Sequence, residues 1–253
     1  MSGWPSLAPA AAAAARGRMF RAQTRAELTL LLRNGEQVLL TLVIPLGLLV
    51  LLSEVAFVSV TGRRVDFFVP GVLALAVMST AFTGQAIGTG FERQYGVLKR
   101  LGATPLPRSV LLVAKTSAVL AVEVLQVGLI CLVGLALGWE PHGSVLGVVL
   151  LVLLGTAAFS GLGLLLGGTL RGLTTLAAAN LLWFVLLVLG GIVFPLSEYG
   201  GAADVLRWLP SAALSDGLRQ LLQHGTLVGR DLLALALWAA AGLTAAARLF
   251  RWE

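Results

Sequence analysis

The segment Phe91 to Arg108, FERQYGVLKRLGATPLPR, gathers Glu92, Arg93, Lys99, Arg100 and Arg108 in a chain that is otherwise mostly lipid-soluble. Long apolar runs flank it on both sides. A short charged helix between two membrane spans must lie in water or among headgroups, because its charges are unstable in hydrocarbon. Gly102 and the Thr104-Pro105 pair stop that helix, since proline lacks an amide hydrogen and restricts the residue before it. The chemistry on offer is recognition: a compact basic knob on one membrane face, shaped to be gripped by a soluble partner. The competing reading is an ordinary loop whose charges only satisfy topology.

A second set of polar residues falls inside the apolar runs: Gln85, Lys115, Glu123, Gln126 and Asn180. Ionisable groups in spans tend to face a bundle interior or water and to mark transport paths. Glu123 and Gln126 are three residues apart and share a helix face. Glu123 is placed to bind a cationic cargo, to pair with Lys115 about two turns away, or simply to bond between helices. Gln85, Glu123, Gln126 and Asn180 are therefore the candidate pathway residues.

Other chemistry finds no residues to carry it. There is no G-x-x-x-x-G-K-[ST] phosphate loop, and the glycines of GTGFERQYG follow a span rather than a strand. His142 and His224 are far apart and lack a HExxH setting, Cys131 is the sole cysteine, and no clustered catalytic set can be assembled. No metal or cofactor is expected in the chain. The net charge of +6 comes from basic residues beside apolar runs, which fits orientation and anionic lipid rather than nucleic acid.

Positioning these residues requires a bundle of spans. The 253 residues are 58% hydrophobic and 12% charged, where a soluble domain is about a quarter charged. Continuous rather than alternating apolar runs predict an all-α polytopic membrane protein and exclude a barrel. Six transmembrane helices are expected, at about 38–58, 70–89, 109–137, 145–170, 174–194 and 231–247, with Pro70 opening the second. Residues 1–15 are an Ala/Pro tail expected to be disordered. Residues 16–37 read as an interfacial amphipathic helix, with Arg18, Arg21 and Arg25 among Phe20, Thr24, Leu28 and Leu31. Residues 196–230 are too short and broken to cross, and read as a re-entrant or interfacial helical hairpin. Of the 18 Lys and Arg, 12 fall on the side of the termini and 5 on the other, with Lys115 inside a span. Both termini and the charged knob are therefore expected in the cytoplasm.

FERQYGVLKRLGATPLPR resembles the central motif of ABC-2 type transporter permeases, the membrane subunits of bacterial ATP-driven exporters. Glu92, Arg93, Gly96, Leu98, Leu101, Ala103, Thr104, Pro105, Leu106 and Arg108 match it. Gln94 and Val97 depart, standing where an acidic residue and Thr are common. LRNGEQVLLTLVIPL is similar to the family's first span, with Gly35 in place of the usual Pro. GGIVFPLSEYGGAADVLRWLPSAALSDGLRQLL is similar to its fifth span and external hairpin. Taken together the three segments look most like the small permeases associated with drug and antibiotic export.

The resemblance implies a cell-membrane complex of two permease subunits, identical or related, with an ATPase subunit beneath each that binds ATP and Mg. It implies a 38–253 transmembrane domain, and an N-terminal helix resting on the inner leaflet and touching the ATPase. A coupling helix around Glu92, Arg93, Gly96, Leu98, Lys99, Arg100, Leu101, Thr104 and Pro105 would dock on that ATPase. The expected activity is export of an amphipathic small molecule, drug or lipid. An ion-gradient-driven secondary transporter is the alternative, and it would require internal repeats and paired intramembrane carboxylates.

Overall fold

A computed structural model describes residues 13–55 and 62–250, apart from the side chains of Glu36, Gln37 and Leu40. Most of the expected N-terminal tail, the last turn of the first expected span (56–58) and the anchoring residues 251–253 lie outside the described residues. Among the described residues the structure is helical throughout, with no strand.

The helices are α1 (Arg16–Arg33), α2 (Gly35–Glu54), α3 (Arg64–Val77), a π-helical segment (Met78–Gly84), α4 (Gln85–Gln94) and α5 (Val97–Gly102). They continue with α6 (Arg108–Ala136), α7 (Val145–Thr169), α8 (Gly172–Leu189), a 3-10 segment (Leu196–Ala202), α9 (Ala203–Leu206), α10 (Pro210–His224) and α11 (Gly229–Leu249). Among the described residues, five helices are long and apolar enough to cross a membrane: Arg64–Gln94, which joins α3, the π segment and α4, and then α6, α7, α8 and α11. α2 is apolar over the shorter stretch Thr41–Glu54.

The Arg64–Gln94 helix is the core of the bundle. Its most apolar window is 83% buried, against 17% for α8, which leans on the side of the bundle. α7 packs on α4 and on α11. Gly163 and Gly167 of α7 face the carbonyls of Phe82 and Ala86, and a Cβ at Gly163 would stand 2.6 Å from Phe82 O. Small residues four apart let two backbones approach this closely.

Two expectations about this helix need correction. The second span does not open at Pro70: the helix begins at Arg64, with Pro70 in its interior. Nor does it end at Thr89, because it continues unbroken to Gln94. An interior proline leaves the carbonyl four residues earlier without its amide partner. Here that carbonyl, Asp66 O, accepts a hydrogen bond from Gln223 Nε2 at 2.8 Å. α2 repeats the device. Pro45 lies inside it, and Thr41 O accepts from Gln126 Nε2 at 2.9 Å. Arg64 then closes the end of α2 by donating to Leu52 O at 3.0 and 3.1 Å and to Val55 O.

The hairpin after α8 folds into the bundle rather than lying on it. Ala212, Ala213, Leu214 and Leu218 of α10 are fully buried against α3, α7 and α11. Arg219 lies 3.9 Å from the Phe67 ring centroid and donates to Gly191 O at 3.0 Å. Burial lowers its pKa to about 10, with Asp216 opposing, so the guanidinium remains charged at neutral pH. At the N-cap of α3, Arg63 pairs with Asp66 at 3.0 Å and Glu140 at 3.2 Å, and the Asp66 hydrogen bond raises its already high pKa.

Candidate functional site

The charged motif is not one helix. Glu92 and Arg93 belong to the last turn of α4, so they are the end of the central span itself. Gly96 then turns the chain with φ +72°, a left-handed conformation that suits glycine. α5, only Val97–Gly102, follows, and the Thr104-Pro105 turn leads to α6. The single short helix expected from Phe91 to its stop at Gly102 and Thr104-Pro105 is thus corrected to a helix end, a glycine turn and a six-residue helix.

Each part is rooted in the bundle. Lys115 of α6 donates from Nζ to Glu92 Oε1 at 2.7 Å and to Glu27 Oε2 of α1 at 2.9 Å. Glu27 Oε1 in turn accepts from Gln23 Nε2 at 2.7 Å. Lys115 and Glu27 are almost wholly buried, so this is a paired charge inside the protein, where a lone one would be costly. One ammonium therefore ties the N-terminal helix, the central span and α6 together. Arg93 donates to Leu170 O at 3.2 Å, securing the same helix end to the α7–α8 junction. Leu98 is fully buried in an apolar cluster with Leu111, Leu112, Leu164 and Phe250, and Leu101 and Leu106 pack against it. Thr104 Oγ1 closes the turn by donating to Leu101 O at 2.6 Å.

The opposite face of this segment is open. Tyr95, Val97, Lys99, Arg100, Thr104 and Pro105 are exposed, and Tyr95 stacks on Phe91 at 6.0 Å between ring centroids. An exposed aromatic, two cations and a proline turn thus share the open face around α5. α1 has the same two-sided character. Arg18, Arg21 and Arg25 are exposed, Phe20 and Leu28 are half-buried, and Glu27 points inward onto α6.

The candidate pathway residues separate. Gln85 Nε2 donates to Ser160 Oγ at 3.1 Å, tying α4 to α7. Gln126 accepts from Thr80 Oγ1 at 3.0 Å while donating to Thr41 O, so it joins three helices. Glu123 is fully buried and accepts from Thr156 Oγ1; it does not pair with Lys115, whose partners come from other helices. Asn180 is exposed on α8. The first three are buried and hydrogen-bonded between helices, and Asn180 is exposed.

Glu27 and Tyr95 went unrecognised in the sequence. Glu27 is the sole acidic residue in α1, seven positions after Phe20 and four before Leu31. An acid on the apolar face of a basic helix was the available signal.

The sequence model of the family described as ABC-2 type transporter matches residues 18–222, a stretch from α1 through α10. The chain belongs to the ABC-2 type transporter family. A relative from Bacillus subtilis (strain 168), named "Putative transport permease YvfS", is 25% identical over 224 residues, covering 84% of this chain and 89% of its own length. The family match covers the charged motif and both Glu27 and Lys115. As an ABC-2 transporter chain with several apolar helices, the protein is a multi-pass membrane transport permease.

Proposed function

We propose that this permease is the membrane subunit of an ATP-driven exporter, and that the exposed face of α5 docks on a separate ATPase. The observation that carries this is the pairing of opposite properties within the fourteen residues Glu92 to Pro105. Tyr95, Val97, Arg100 and Pro105 are open to a partner, while Glu92, Arg93 and Leu98 are fixed to α6, α7 and the end of α11. A displacement applied to the open face must move the central span, because Gly96 is the sole joint between them. Closure of the ATPase on ATP thus becomes a tilt of the Arg64–Gln94 helix. ATP and Mg are bound and hydrolysed by the partner.

The six-span arrangement takes α2 as its first crossing, both termini and α5 in the cytoplasm, and α1 along the inner leaflet with its arginines toward lipid phosphates. A second permease subunit, identical or related, lies against α8, whose Leu173, Leu181 and Phe184 are exposed beside Asn180. An amphipathic cargo is supported by an apolar cleft of about 600 Å³ opening between α7, α8 and α11, lined by Leu166, Leu182, Leu186 and Trp238. Drug, antibiotic and lipid export all fall within that class.

The test is co-purification and ATP-driven transport of a fluorescent amphipath in vesicles. The wild-type permease should retain an ATPase subunit, and the double substitution Lys99→Glu, Arg100→Glu should lose it while the permease remains folded. Transport that continues without ATP, driven by an ion gradient, would overturn the proposal.

A further inference from the structure

An open cavity lies where the central span ends and α8 begins. It measures about 630 Å³ and is lined by Arg93 and Gln94 of α4 and by Arg171, Leu173 and Thr174 at the start of α8. A water takes up about 30 Å³ in the liquid, so the space accommodates a hydrated group the size of a phosphate. Its walls are held in place. Arg171 O accepts from Thr175 N at 2.7 Å and from Thr175 Oγ1 at 3.0 Å. Arg93 donates to Leu170 O at 3.2 Å. A Cβ at Gly172 would run into Gln94 Oε1, so glycine there lets the Gln94 side chain lie against the first turn of α8.

The lining is cationic, and no carboxylate in it offsets that charge. Arg93 and Arg171 are its two charged members, and no Asp or Glu occurs between Glu140 and Glu198. Glu92, next to Arg93 in sequence, accepts from Lys115 and lines a different cavity. Arg171 is exposed and among the described residues forms no ion pair. The amide of Gln94 and the hydroxyl of Thr174 add neutral donors to the same wall. The cavity lies at the level where α7 stops at Thr169 and α8 starts at Gly172, the rim of two apolar helices. Leu173, 70% exposed, stands at its edge, and Ala177 and Leu181 follow at four-residue steps on the same exposed face of α8.

We propose that this cavity seats the phosphate of an anionic phospholipid from the cytoplasmic leaflet. Arg171 is its direct partner, Arg93 supplies charge from the wall, and one acyl chain runs along Leu173, Ala177 and Leu181. A guanidinium fork matches phosphate oxygens in geometry as well as in charge. Basic pockets between spans on the cytoplasmic side take anionic headgroups on these grounds. The apolar stripe that starts at the cavity's edge favours a lipid over a free anion or an acidic protein segment, because one molecule then satisfies both surfaces. The choice of leaflet rests on the orientation proposed above; the binding itself does not. The lipid borders the face of α8 proposed to meet the second subunit.

The experiment is competition binding to the purified full-length permease in a neutral detergent, using phosphatidylglycerol that carries a fluorescent acyl chain. It needs neither ATP nor an ATPase, so its failure is distinct from failure of the exporter reading. Unlabelled phosphatidylglycerol should displace the probe at least tenfold better than phosphatidylcholine with the same chains, and the advantage should shrink as salt is raised. Inorganic phosphate, which has the charge without the chain, should compete poorly. Arg171→Gln should weaken phosphatidylglycerol binding about fivefold, the share of one basic residue at a lipid surface, and leave phosphatidylcholine binding unchanged. Gln94→Glu adds a carboxylate, removes no cation and should weaken it at least as much. Both positions are exposed, and unchanged phosphatidylcholine binding reports an intact fold. A phosphatidylglycerol advantage that neither variant alters would overturn the site. So would an equal loss from Arg21→Gln on α1, which would assign the preference to the basic surface in general, or inorganic phosphate that competes as well as the lipid. Release of a co-purified ATPase subunit by Arg171→Gln, with the lipid preference intact, would assign the cavity to that protein instead.

Discussion

Lys115 is a residue whose role depends on two others that no local pattern connects to it. Its position near the start of an apolar helix suggests snorkelling to an interface. The bonds to Glu27 and Glu92 instead come from segments 88 and 23 positions away in sequence. Removing one partner of a buried ion pair costs about 3–5 kcal/mol, because the other charge is left uncompensated. Lys115→Met leaves two carboxylates facing each other and should lower the Tm of the purified permease sharply. The double variant Lys115→Met, Glu27→Gln should recover part of that loss. Strict additivity of the two single effects would show that the pair is not coupled.

Glu92 and Arg93 were legible as important from their place in the motif, but their direction was not. Charge in a loop suggests an outward-facing contact, whereas both side chains turn back into the bundle. The outward positions are Tyr95, Val97 and Arg100. Helix phase beyond Gly96 decides this, and the left-handed turn at Gly96 resets the phase in a way that residue spacing cannot reveal.

At the scale of elements, the apolar runs that became α6, α7, α8 and α11 were readable because composition and length alone demand a helix in lipid. The central span was misplaced at both ends. Proline is favoured at a first helical position, and Pro70 invites that reading. The carbonyl it leaves open is served by Gln223, 157 positions from Asp66 in sequence, which no local rule anticipates.

Gln126 does the same for Pro45 in α2, which explains a polar residue in an apolar helix without recourse to transport. Gln126→Leu removes the donor that serves Thr41 O, and loss of such a hydrogen bond costs about 0.5–1.5 kcal/mol. Pro45→Ala restores the missing amide, so the loss from Gln126→Leu should be smaller in a Pro45→Ala background. Equal losses in the two backgrounds, measured by thermal unfolding, would show that Gln126 does not serve the proline.

The α10 hairpin was expected as an interfacial or re-entrant pair. Its sequence showed the interruption at Pro210 but not how fully the second helix would be enclosed. Burial of Ala212, Ala213 and Leu214 depends on three other helices, α3, α7 and α11, meeting around it.

At the scale of the whole molecule, coupling requires that the joint at Gly96 be defined and that the segment beyond it be stiff. A side chain at φ +72° costs about 1–2 kcal/mol. Space is not the obstacle, since nothing lies within 4 Å of a Cβ built there. Gly96→Ala should therefore insert and fold, with a Tm within a few degrees of wild type, yet transport less per ATP hydrolysed. A parallel fall in hydrolysis and transport, with their ratio unchanged, would remove Gly96 from the coupling path.

The direct test of docking uses the chain's single cysteine to advantage. With Cys131→Ala as background, Arg100→Cys places one thiol on the open face of α5. A short bifunctional thiol reagent should join the permease to an ATPase subunit, more efficiently in one nucleotide state than in another, and the same thiol should resist a membrane-impermeant maleimide added outside intact cells. Labelling from outside, or crosslinking that never captures a nucleotide-hydrolysing partner in any state, would contradict the docking role of α5.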